Sequence, residues 1–236
     1  DWFVCIHARD NAYKAAWRPE DKAVWLSREF RNCRIENYLD AAKYITSLGG
    51  YVVRMGHTVE KPLAELGRDD VAGDARIIDY ATTCRSDFMD IYLSAHCRFF
   101  LGNNSGLFVV SSIFDRPVAL ANFFPIGMMP FHEFDYLIPK FLRDTKTGAI
   151  LPYWRLQTEG FFAFYEMFET SLHQSHGYEW VEHDSEDILN LAKDMVSRLE
   201  GGSSSTRDKG KAIAAYFKEK YQVVTEALIQ DKLIQQ

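Results

Sequence analysis

Residues 86–125 read SDFMDIYLSAHCRFFLGNNSGLFVVSSIFDRPVALANFFP, and the reading of this stretch decides the fold. Phe88, Ile91, Tyr92 and Ala95 fall at the i, i+3, i+4, i+7 spacing of an amphipathic helix. Ser86 suits the N-cap, where a hydroxyl accepts from a first-turn amide, and Asp87 suits the positive end of the helix dipole. Arg98 to Leu101 then reads as a short buried strand that ends in Gly102-Asn103-Asn104-Ser105-Gly106. Leu107 to Phe114 is apolar on almost every side and reads as a second helix, and Pro117 to Phe123 as another strand. Helix, strand, small-residue loop, helix and strand in succession predict an α/β fold, doubly wound around a mostly parallel sheet.

The loop at 102–106 has chemistry of its own. A helix start leaves backbone N–H groups without partners and carries partial positive charge. Gly102 and Gly106 permit close approach of a ligand to the backbone, while Asn103, Asn104 and Ser105 add side-chain donors. Such a loop can hold a phosphate, or it can be a plain strand-to-helix turn with Ser105 as its cap. The loop alone does not decide between them.

Upstream, Trp2 to Ile6 is an apolar run of the kind buried on both faces of a parallel sheet, and it ends in His7-Ala8-Arg9-Asp10. Ligands of open α/β sheets sit outside the carboxyl ends of strands. Arg9 is the strongest candidate there, because a guanidinium grips phosphate oxygens in a fixed fork; the alternative is an ion pair with Asp10 that fixes the loop. Asn11 to Asn32, with Tyr13, Trp17, Arg18, Trp25 and Arg31, reads as a long functional loop containing a short helix. Arg34 to Leu48 predicts a helix with Ile35, Tyr38, Leu39, Ala42, Ile45 and Leu48 as its buried stripe, ended by Gly49-Gly50. Tyr51 to Val53 is a strand running into Arg54-Met55-Gly56-His57, and Arg76 to Tyr80 another short strand. Asp69, Asp70 and Asp74 read as a solvated loop rather than a metal site. Asp90 either points to the ligand edge or is a solvent-facing helix acid.

Downstream, Phe124 to Gly160 is punctuated by Pro and Gly and reads as an irregular packed loop, including Met128-Met129-Pro130-Phe131. The aromatic run Gly160 to Leu172 reads as core or domain-contact packing. Asp184 to Leu199 predicts a helix with Ile188, Ala192, Met195 and Leu199 on one face. The division is a Rossmann-like domain over 1–200, a flexible GGSSST linker at 201–206, and a terminal helix over 207–236 with Ile213, Phe217, Tyr221, Val224 and Leu228 as its stripe.

The whole sequence has 236 residues and a net charge of −6, which disfavours general nucleic-acid binding. No run approaches the ~18 apolar residues of a membrane span. Cys5, Cys33, Cys84 and Cys97 lack CxxC spacing, and Cys5 and Cys97, set in apolar runs, read as buried free thiols, pointing to a reducing, cytoplasmic setting. The chain begins without Met inside an apparent strand, so we expect the C-terminal part of a longer protein.

The strand end His7-Ala8-Arg9-Asp10 resembles the H-x-R motif of fucosyltransferase-like GT-B enzymes, and Asp90 to Gly106 resembles their helix, strand and Ser loop. The sequence is similar still more closely to a family of bacterial glycosyltransferases of surface polysaccharide synthesis, through WFVCIHARD (2–10), RNCRIENYLDAAKYITSLGGYVVRMG (31–56), LSAHCRFFLGNNSG (93–106) and GYEWVEHDSEDILNLAKDMVSRL (177–199). The resemblance implies the nucleotide-sugar-binding half of a GT-B fold with a C-terminal helix. It implies transfer of a sugar from a nucleotide-diphosphate donor to a glycan or lipid-linked acceptor, without metal or cofactor and with at most peripheral membrane association. On it, Arg9 grips the donor diphosphate, with His7 or Asp10 orienting it, contacting the nucleotide or acting as base. Ser105 and Gly106 match the loop that receives phosphate, with Gly102, Asn103 and Asn104 of the same loop as further donor-binding candidates, and Asp90 lies near the nucleoside. Arg54 and Gly56 fall at a strand end near the donor, where the residue type at Arg54 differs from the family's. The competing readings are a non-catalytic nucleotide- or sugar-binding module and a nucleotide-sugar epimerase or hydrolase.

Overall fold

In a computed structural model that describes residues 1–124, 135–152, 155 and 174–201, the apolar runs assemble into a six-stranded sheet. The strands are β1 (Phe3–His7), β2 (Tyr51–Arg54), β3 (Ile77–Ile78), β4 (Phe100–Gly102), β5 (Val118–Phe123) and β6 (Tyr136–Pro139). They run parallel in the order β3-β2-β1-β4-β5-β6. Cys5 pairs with Val53 on one side and Phe100 on the other, so β1 is central.

The helices are α1 (Ala12–Trp17), α2 (Lys22–Leu26), α3 (Leu39–Ser47), α4 (Asp69–Ala72), α5 (Tyr80–Thr83), α6 (Asp87–His96), α7 (Gly106–Ile113) and α8 (Ser185–Leu199). Alternate strand residues serve opposite faces. Val4, Ile6, Val52, Leu101 and Ala119 pack under α3 and α8, whereas Cys5, Val53, Phe100, Val118 and Leu120 pack under α6 and α7. Burial on both sides explains why these strands read as continuous apolar runs. Asp184 caps α8, its carboxylate accepting from the amides of Glu186 and Asp187.

Several expectations are corrected. The stripe predicted for α6 faces outward: Phe88 is 72% exposed, while Ser94 is fully buried. The rotation of α6 is set by polar contacts. The Tyr80 hydroxyl lies 2.8 Å from Asp90 Oδ1 and accepts from the Ser86 amide, and the Ser86 hydroxyl accepts from the Met89 amide. With Asp90 and Ser94 turned inward, Met89 and Leu93 meet the sheet instead. Leu48, predicted within a buried stripe, is half exposed beyond the end of α3. The loop expected over 11–32 holds α1, α2 and 3-10 turns at Pro19–Asp21 and Glu29–Arg31.

The irregular loop expected after Phe124 contains β6 and then β7 (Phe141–Asp144), which pairs antiparallel with β8 (Tyr178–Val181). Pro139 is tolerated at the end of β6, where the next amide, Lys140 N, donates to Phe123 O. The strand expected over Arg76–Tyr80 shortens to Ile77–Ile78 because Asp79 turns away to accept from Leu63 N and Arg54. The readings at Met128–Phe131, over Gly160–Leu172 and beyond Gly201, including the terminal helix, lie outside the described residues.

Asp70 and Asp74 are engaged by Arg68 and Lys43. Among the described residues, no helix is long and apolar enough to cross a membrane.

Candidate functional site

The strand order reverses between β1 and β4, so their connections leave in opposite directions and the carboxyl ends of the two strands part. A cavity of about 730 Å³ opens at that point. β1 delivers His7, Arg9 and Asp10 to its wall, and the turn after β4 delivers Ser105 and Gly106. Asp90 reaches the wall from α6 beside Arg85. Arg54, Gly56, Gly102, Asn103 and Asn104, the other predicted site residues, do not line it.

Ser105 is the N-cap of α7, yet its side chain makes no capping hydrogen bond. The residue is 8% exposed and its Oγ has no partner among the described residues. Leaving a buried hydroxyl unpaired costs about 1–3 kcal/mol. Ser105 lines the cavity as a residue, so turning its side chain toward an oxygen-rich ligand there would relieve that penalty. Gly106 and Leu107, at the helix start whose first amides lack intrahelical partners, line the same space.

Arg9 is fixed from three directions. Its backbone amide donates to Asn103 Oδ1 at 2.9 Å, its carbonyl accepts from Cys33 N at 2.9 Å, and its guanidinium donates to Asn32 Oδ1. Burial and the neighbouring Arg31 cation push its pKa down to about 10, so the guanidinium stays charged at neutral pH. Asp10 is occupied otherwise than with Arg9: Oδ1 accepts from Ala12 N and Oδ2 from Glu60 N.

His7 is held by Met55, whose carbonyl lies 3.0 Å from Nδ1. A carbonyl can only accept, so Nδ1 carries the proton and Nε2 keeps its lone pair. Burial, aided by the nearby Arg54 and Arg9 charges, lowers the imidazole pKa to about 4.

The predicted residues that do not line the cavity support it. Asn103 is fully buried; besides Arg9 N it serves Arg31 O and Cys33 Sγ through Nδ2. Asn104 Nδ2 donates to Phe124 O, and its carbonyl accepts from Arg31 Nη2 at 3.0 Å. A Cβ on Gly102 would stand 2.8 Å from His7 O and 2.6 Å from the Phe100 ring, so glycine lets β4 approach β1. A Cβ on Gly56 would meet Val59 at 2.7 Å. Arg54 is 2% exposed and bonded to Asp79 at 2.9 Å, an internal tie beneath the site.

The far wall comes from the segment between β1 and α3. Trp17 there carries the Arg18 guanidinium 5.0 Å above its ring, and Tyr13 meets His57 edge-on at 5.3 Å. Across the whole wall, six cations (Arg9, Lys14, Arg18, Arg28, Arg31, Arg85) face three carboxylates (Asp10, Asp21, Asp90). The cavity is thus cationic within a chain of net charge −6. Sequence reasoning missed Arg28, Asn32 and Lys140. Lys140 is 4% exposed and donates to Phe30 O and Asn32 O, bracing the turn that holds Arg9. Its only signal was a lysine set between Pro139 and Phe141, an apolar neighbourhood in which a cation needs partners.

The chain matches no protein-family model, no curated protein and no solved structure.

Proposed function

We propose that this chain is the donor-binding part of a GT-B-type glycosyltransferase, moving a sugar from a nucleotide-diphosphate sugar to a glycan or lipid-linked acceptor. One observation supports the reading: Arg9 and Ser105, the latter with a buried and unpaired Oγ at the start of α7, line the same cavity at the point where the strand order reverses. Breaking the glycosidic bond of such a donor leaves charge on the diphosphate. Donors already aimed at that charge lower the barrier without reorganising. Arg9 supplies a fixed fork and α7 its amides, so the chain's own groups balance the leaving group.

Within the same reading, His7 Nε2 is the candidate base for an acceptor hydroxyl, being unprotonated at neutral pH and on the cavity wall. Asp90, turned inward by Tyr80 and Arg85, is the candidate contact for the nucleoside. Trp17 and Tyr13 line the wall with the Arg18 and Lys14 cations over their rings, which adds to the positive charge that meets the diphosphate.

Incubating the full-length protein, acceptor-binding part included, with a panel of nucleotide sugars, with and without glycan acceptor, tests the proposal. Acceptor-dependent loss of donor is the expected result, and Arg9→Ala lowers the rate by roughly 10²-fold or more with the fold intact. Donor consumed without acceptor would indicate a hydrolase or epimerase. Binding without turnover would indicate a non-catalytic module. Full turnover by Arg9→Ala would defeat the assignment.

A further inference from the structure

The outer faces of α6 and α7 are apolar where solvent-facing helices are normally polar. Phe88 and Ile113 are 72% and 71% exposed, and Ile91, Tyr92, Val109 and Phe114 lie between 43% and 47%. Ser94 and Ser111, by contrast, are fully buried beneath. The two helices lie against each other on one face of the sheet, with Cys97 Sγ 3.9 Å from Ser111 Oγ at their seam. With Met89, Leu93, Leu107 and Phe108 already filling the sheet-facing side, the further bulky apolar groups turned outward mark a surface that something covers.

We infer that the chain's own C-terminal segment, within residues 207–236, docks on this face. The exit point of the chain favours it. α8 ends at Leu199, and the Glu200 carboxylate pairs with Arg98 Nη2 at 3.3 Å. Arg98 comes two residues after the end of α6, so the chain leaves the described body at the foot of that helix. α7 precedes a parallel neighbouring strand and therefore runs down to the same edge, bringing Ile113 and Phe114 there. Residues 201–206 are GGSSST, without a bulky side chain, and 201–210 can span up to ~33 Å when extended. That exceeds the ~10 Å spacing of packed layers, so the segment can round the sheet edge. Beyond it, Ile213, Phe217, Tyr221, Val224 and Leu228 recur at helical spacing and offer one apolar stripe. The α6–α7 face is a contiguous exposed apolar surface among the described residues, the segment's sequence offers an apolar stripe to match it, and the linker starts at the right end.

Limited trypsin digestion of the full chain, read by mass spectrometry at Lys218 and Lys220, tests the inference. Two variants approach the contact from either side: Ile113→Asp on the face, and Phe217→Asp with Tyr221→Asp on the segment. Each is expected to speed cleavage at those lysines by about tenfold or more, because a docked segment must open before it is cut. The segment variant changes nothing in the described body, so it stands as the test if Ile113→Asp fails to fold. It should also raise binding of a hydrophobic dye, as Phe88 and Ile113 become free. Wild-type cleavage as fast as that of the segment variant overturns the inference. So does a dimer in sedimentation that Ile113→Asp dissociates without changing cleavage, which would assign the face to a second copy of the chain.

Discussion

At the residue scale, Ser105 separates a binding role from a structural one. A serine that caps a helix stabilises it by about 1 kcal/mol, and its loss lowers Tm. Ser105 makes no such bond and leaves Oγ buried and unpaired. Ser105→Ala should therefore leave Tm unchanged or raised, while weakening the binding of a nucleoside diphosphate; a fall in Tm with unchanged binding would return the residue to a plain cap. His7 gives a second residue-scale prediction. Its imidazole protonates at about 4 in the folded chain against 6.5 as its ordinary value. Between those values the unfolded chain binds the extra proton, so the contribution to stability is complete above the upper value and declines as pH falls toward the lower one. Denaturant midpoints measured at about pH 7 and about pH 5 should show this decline, and His7→Gln should flatten it. Arg9 and Ser105 were legible as site candidates because strand ends and helix starts have fixed chemistry, whereas Asp90, inside α6, was open between the ligand edge and solvent until the resemblance pointed to the donor. Lys140 and Asn32 were not, because they act across 108 residues of sequence to brace a turn.

At the scale of elements, the sheet was largely legible and the orientation of its helices less so. The runs around Val4, Val52, Leu101 and Leu120 carry the signature of strands buried on both faces, and each is a strand. α6 exists where its cap and spacing place it, but apolar residues stand on two of its sides. The choice between them rests with Tyr80, Asp90 and Ser94, whose pairing is tertiary and leaves no periodic trace. β6 and β7 were hidden because Pro139 and flanking turn residues read locally as loop. Gly102 tests the contact between elements most sharply. Gly102→Ala should destabilise the fold by about 1–3 kcal/mol, as the new methyl group forces apart β1 and β4. A change in urea midpoint too small to resolve would show that the strands have slack there, against the 2.8 Å approach to His7 O.

At the scale of the whole molecule, the account depends on topology. Residues 9 and 105 are far apart in sequence and meet because β1 and β4 are neighbours at the place where the strand order turns back. The cations gathered there repel one another, which a bound dianion would relieve and which added salt would screen. The most direct measurement is a calorimetric titration of nucleoside diphosphates into the full-length wild type, Arg9→Ala, Ser105→Ala and the double variant. If both residues hold one diphosphate, each single change weakens binding, and the double change departs from the sum of the two by more than about 0.5 kcal/mol. Strictly additive losses, or the absence of binding by any nucleoside diphosphate to the wild type, would contradict the claim that these two ends of the sheet serve one ligand.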